Sequence, residues 1–102
     1  MKIWFAPATS KSFLLETSGE LSELQKLVGG YIEMHSLGGG LMLVCDEEGY
    51  LKGKPFNQTV RLSYSSVDIV GDFFVTRVNL EGDFVDLRKS DVEKLKKLFP
   101  YS

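Results

Sequence analysis

Leu41-Met42-Leu43-Val44-Cys45 is apolar at every position, and Asp46-Glu47-Glu48-Gly49 follows it as a turn. A strand that is apolar on alternate residues buries one face, whereas one apolar throughout is buried on both. Five residues bounded by turn signals is strand length and too short for a core helix. The run predicts the central and most buried strand of a sheet.

On the N-terminal side, Leu37-Gly38-Gly39-Gly40 makes a hairpin turn into this strand. The partner strand runs over residues 31–36, with Ile32 and Met34 on one face and Tyr31, Glu33 and His35 on the other. Before it, Gly29-Gly30 ends a helix expected over residues 20–28, because glycine adopts the left-handed cap conformation without strain. Leu21, Leu24, Leu27 and Val28 form the apolar stripe of that helix, and Ser18 is placed to cap it. Two further strands are expected over 2–6, stopped by Pro7, and over 11–17.

On the C-terminal side, residues 50–67 show no dominant period and contain Pro55, so a loop with at most one irregular helical turn is expected. Residues 68–78 read as one long strand with Gly71 as a bulge. Glu81-Gly82 turns it into a short strand over 84–87. Ser90-Asp91-Val92-Glu93 reads as a capping box opening a last helix, which carries Val92, Leu95, Leu98 and Phe99 on one stripe and stops at Pro100. Short hairpin turns imply antiparallel pairing. The reading is an α+β fold, a mostly antiparallel sheet with two helices packed on it, in one domain over residues 1–102.

Composition narrows the function. With 14 acids against 12 bases the net charge is −2. That balance argues against binding duplex DNA, which requires a basic face, and is too mild for a bulk-charge DNA mimic. A single cysteine allows no internal disulfide, which fits a cytoplasmic location. No apolar stretch approaches the ~20 residues that span a bilayer, so no membrane partner is expected.

No catalytic set emerges, so the chain is not expected to be an enzyme. His35 shares a face with Glu33, a pairing that could orient a general base, but no nucleophile accompanies it. Cys45 lies in the most apolar run, where a thiol behaves as a small hydrophobe. Asp46, Glu47 and Glu48 lack calcium-loop spacing, and no zinc-type ligand cluster is legible, so neither a metal nor a cofactor is expected. Residues 38–40 are not a phosphate loop, since no Lys-Ser/Thr follows and the next element is a strand.

The segment over 50–67 stands apart. It has no acid, and it carries Lys52, Lys54 and Arg61 among Tyr50, Phe56 and Tyr64, with Asn57 as a hydrogen-bonding group. Aromatic faces stack on bases while cations hold phosphates, and Tyr with Arg also suits an acidic protein surface. These seven residues are the candidate binding site. Its partner is expected to be either a protein with an acidic surface or an anionic small molecule such as a nucleotide. Reversing Lys52, Lys54 and Arg61 to Glu should leave the fold intact, since exposed substitutions usually shift stability by about 0.5 kcal/mol or less each.

Leu27-Val28-Gly29-Gly30-Tyr31-Ile32-Glu33 resembles the signature of a family of small proteins of unknown function encoded by bacteriophages, plasmids and other mobile elements. Leu43-Val44-Cys45-Asp46-Glu47-Glu48-Gly49 is similar to its second block. Lys52-Gly53, Pro55 and Asn57 resemble the next, and Asp68-Ile69-Val70-Gly71 a late strand. Glu81-Gly82-Asp83-Phe84 and the final helix fit less specifically. Lys54 departs from the pattern, standing where an apolar residue is expected. The resemblance implies a setting and no reaction: an accessory protein that binds and blocks host machinery, including defence systems.

Overall fold

The computed structural model describes residues 1–100, so the last two residues of the domain expected over 1–102 lie outside the described residues. The described residues form, in order, β1 (Lys2–Ala6), β2 (Phe13–Glu16), α1 (Leu21–Val28), β3 (Ile32–Gly38), β4 (Leu41–Asp46), β5 (Phe56–Arg61), β6 (Ser66–Val70), β7 (Phe73–Val78), β8 (Phe84–Val85) and α2 (Lys89–Leu98). The main sheet runs β2-β1-β7-β4-β3, with β8 also paired to β7, and β5 and β6 form a separate two-stranded sheet. Every strand pair described is antiparallel. This is the α+β architecture that the hairpin turns predict.

The all-apolar run is indeed buried on both faces. Leu41, Leu43 and Cys45 join one core with Trp4, Phe73, Val75 and α2's Leu95. Val44 joins a second core with Ile3, Phe74 and α1's Leu24 and Val28. The helices therefore cover opposite faces of the sheet. The central strand, however, is β7 and not β4. Phe73-Phe74-Val75 is as apolar as β4, and β1, β4 and β8 all bond to β7.

Gly71 explains a second difference. The strand expected over 68–78 is two strands in two sheets, and Gly71 separates them at φ +75°, a left-handed conformation that would strain any residue with a Cβ. A bulge bends a strand, but here the chain leaves one sheet for the other. Asn57 holds that departure together: its Nδ2 donates to the carbonyls of Ala6 and Gly71, both at 2.9 Å.

Two caps differ from expectation. Glu20, not Ser18, occupies the N-cap of α1. Ser18 and Thr17 instead donate their hydroxyls to the Glu23 carboxylate in the first turn. In α2 the helix begins two residues earlier than the Ser90 box implies, with Arg88 and not Ser90 at the N-cap. Asp91 accepts from the Arg88 amide at 2.8 Å and also takes a bidentate pair from Arg77 of β7, at 2.9 and 2.7 Å. The Arg77 guanidinium holds the Asp91 pKa below its usual range, against the opposing effect of burial.

Candidate functional site

The expected loop over 50–67 is a turn followed by a hairpin. Residues 50–53 form turns, and β5 then pairs with β6 from Phe56↔Val70 to Arg61↔Ser66. A register shift between Phe56 and Gln58 leaves Asn57 as the extra residue. That shift breaks the two-residue alternation that would have marked a strand.

The hairpin scatters the seven candidate residues. Tyr50 is exposed and donates its hydroxyl to the Asp68 carbonyl at 3.0 Å. Phe56 is exposed at the start of β5 and Tyr64 is fully exposed at the hairpin tip. Five residues of extended strand separate Phe56 from Arg61, about 16 Å at ~3.3 Å per residue. Asn57 has its amide committed to the two carbonyls already named. Arg61 is exposed beside the tip, where it is brought together with Tyr64 along one concavity.

Lys52 and Lys54 are not free cations. Both donate to Asp46 Oδ2, at 2.9 and 2.6 Å, and the Asp46 side chain is fully buried. Lys52 also donates to the Gly29 carbonyl at 3.0 Å and Lys54 to the Val28 carbonyl at 2.6 Å. The two ammonium groups thus satisfy the last carbonyls of α1 and sit at the negative end of its dipole. Burial alone would raise the Asp46 pKa. The hydrogen bonds from Lys54, the Glu48 amide and Lys52 outweigh it and hold the carboxyl at about 2. Gly30 leaves room for this cluster, since a Cβ there would meet Lys52 Nζ at 2.5 Å and Asp46 Oδ1 at 2.6 Å. The expectation that the three cations can be reversed without harm is therefore corrected. Glu at 52 and 54 would face a buried carboxylate and a row of carbonyls. The basic appearance of residues 50–67 is largely an internal ion cluster, which also accounts for Lys54 at a position where an apolar residue is expected.

Arg61 belongs to a different feature. Between β5 and α2 runs a groove of about 390 Å³. Leu41, Val60, Leu62, Leu98 and Phe99 give it an apolar lining, Arg61 and Lys94 supply two cations, and among the described residues no acid lines it. Leu98 is 55% exposed there, although it ends the apolar stripe of α2. The apolar stripe of α2 predicts Leu98 in the core, and Lys94 lies one turn before it on the same helix. Only the packing of the hairpin against α2 turns them into neighbours of Arg61.

A third arrangement lies on the outer part of the same face. Glu33 stands opposite Cys45 across the β3–β4 pair. Glu33 Oε2 is 2.9 Å from His35 Nε2 and accepts from Cys45 Sγ at 3.8 Å. No ligand cluster was legible in the sequence, yet one atom each of Glu33, His35 and Cys45 lies within 4.8 Å of the others. Burial, and next the negative charge of Glu33, push the Cys45 thiol up to about 12. The thiol neighbours a carboxylate and not an activating cation, which is the wrong setting for a nucleophile. Cys45 is expected to react with a thiol reagent at pH 8 at least tenfold more slowly in the native protein than in urea. Equal rates would show that the β3–β4 face is open.

Residues 1–100 match a family model described as a domain of unknown function (DUF3846). No curated protein and no solved structure matches the chain at a significant level. Among the described residues, no helix is long and apolar enough to cross a membrane.

Proposed function

This chain belongs to the DUF3846 family, a domain of unknown function, and we propose that it works as a non-enzymatic binding protein whose groove between β5 and α2 seats an acidic, partly apolar segment of a partner protein. The observation that carries this reading is the groove's composition: among the described residues, an apolar lining, two cations and no acid, in a chain that is acidic overall. Arg61 can grip a carboxylate through two parallel hydrogen bonds. Leu98 and Leu62 would bury apolar area against the partner, and Tyr64 stands at the edge as a large exposed contact.

The setting we propose is the cytoplasm, with the chain as an accessory protein of a phage or other mobile element that blocks a host defence or regulatory protein. It rests on the likeness of the blocks at 27–33 and 43–49. The alternative, capture of a nucleotide through stacked aromatics and cations, has less support. Phe56 and Tyr64 lie at opposite ends of β5 and its connection, and Lys52 and Lys54 are held by Asp46.

The double variant Arg61→Glu/Lys94→Glu tests the groove. Both side chains are exposed, so stability should change by about 0.5 kcal/mol or less for each. Host proteins captured by the wild type should bind the variant at least tenfold more weakly, about 1.4 kcal/mol. Equal capture by a normally folded variant would rule the groove out as the binding surface. Thermal melts with a panel of nucleotides examine the alternative, since a ligand at 100 times its Kd would stabilise by about 2.7 kcal/mol.

A further inference from the structure

Glu33 and Cys45 face each other across two antiparallel strands, and His35 follows two residues on, so the three side chains leave the same face of the sheet. Their ligand atoms converge within 4.8 Å. Among the described residues, no lysine or arginine forms an ion pair with Glu33, whose Oε2 lies 2.9 Å from His35 Nε2. The cluster therefore gathers a carboxylate, an imidazole and a thiol with no cation of the protein's own to balance them. Glu33 is 46% and His35 23% exposed, which leaves an approach from solvent, while Cys45 forms the buried side.

We propose that Glu33, His35 and Cys45 bind a divalent transition ion of the zinc class through a carboxylate oxygen, Nε2 and Sγ. Thiolate and imidazole exclude magnesium and calcium, which take oxygen ligands, and favour zinc or cobalt. Ligand atoms around tetrahedral zinc stand roughly 3.3–3.8 Å apart, given bonds of about 2.0–2.3 Å. Closing from 4.8 Å needs about an ångström of side-chain movement, which Glu33 and His35 can make at the sheet edge. Three protein ligands leave one position for water. On binding, the Cys45 S–H bond breaks, its proton passes to solvent and Sγ bonds the metal. A neutral imidazole and an ionised carboxylate each donate a lone pair unchanged. One proton is thus released per ion. The ion also reverses the local electrostatics: beside Glu33 alone a thiolate is disfavoured, and beside a dication it is favoured. This site is independent of the groove and stands or falls separately.

Cobalt(II) titration of the chelator-treated protein is the test. Cys45 is the single cysteine of the chain, so a thiolate-to-cobalt charge-transfer band can have no other source. The wild type is expected to show that band with tetrahedral d–d bands, to release one proton per ion and to lose the spectrum when zinc is added. Cys45→Ser should abolish the band. His35→Ala and Glu33→Gln, which alter partly exposed side chains, should each weaken cobalt binding at least tenfold and decide the matter if the cysteine variant fails to fold. No band from the wild type at millimolar cobalt would overturn the proposal. So would unchanged affinity in both the His35 and Glu33 variants, since the thiol would then be acting alone.

Discussion

Leu43→Ala is expected to cost roughly 2–5 kcal/mol, because it empties a site that the fold has no easy means to close. Leu43 is fully buried on β4, opposite Val75 of β7, in the core between the sheet, α2 and the β5–β6 hairpin. Its neighbours Trp4, Phe73 and Leu95 come from different elements, so collapse around the missing atoms would require several of them to move together. A domain of this size has only about 5–15 kcal/mol of stability in total. Urea melts should show the loss as a lower midpoint with an unchanged slope. A loss below about 0.5 kcal/mol would mean that this face of β4 is not closed by α2 and the hairpin.

Asp46→Ala is expected to cost about 3 kcal/mol near neutral pH. The substitution leaves two ammonium groups facing each other without their shared carboxylate, and removing one partner of a buried ion cluster is far more damaging than removing all of them. The loss stays at the lower end of the range for buried pairs because Lys52 and Lys54 are partly exposed and keep their bonds to the α1 carbonyls. The Glu48 amide also loses its acceptor at 2.9 Å. The pH dependence carries a definite sign. The folded-state pKa of Asp46, about 2, lies below its ordinary value of 3.8. Its stabilisation is therefore fully present above about pH 4 and fades as pH falls toward 2. Asp91 and Glu23 are lowered as well, so the wild type alone would not isolate Asp46. The difference between wild type and variant should shrink across that window. A difference that stayed constant from pH 6 to 2 would show that the carboxylate's charge is not what matters.

Both predictions concern residues that the sequence presents together, Leu43 and Asp46, three positions apart. Their legibility differs. The burial of Leu43 follows from a local pattern, apolar residues on both faces of a short run. The role of Asp46 does not. Its place at the start of a turn gives no sign of a partner, and the two lysines that hold it read locally as part of a basic patch. Their meeting point is the end of α1, 23 and 26 residues before the lysines that cap it. The groove and the Glu33–His35–Cys45 cluster are hidden for the same reason. Cys45 and Glu33 are twelve residues apart and become neighbours only through strand register.

The sequence by itself determined β1, the paired β3 and β4, both helices and the left-handed cap at Gly29, because strand alternation, helical stripes and glycine turns are interactions among near neighbours. Membership of a family of uncharacterised domains was equally legible in its blocks. The tertiary structure alone decided that β7 is central, that Gly71 divides one apparent strand between two sheets, and that residues 56–70 form a hairpin. In that hairpin the buried apolar side chains are Val60 and Ile69, too few to impose a period, and Asn57 interrupts the alternation that remains. What holds the hairpin in place is distant: Asn57 bonds to Ala6, and Val60 packs into the core that contains Leu95. Such contacts link residues tens of positions apart, and a local pattern carries no trace of them.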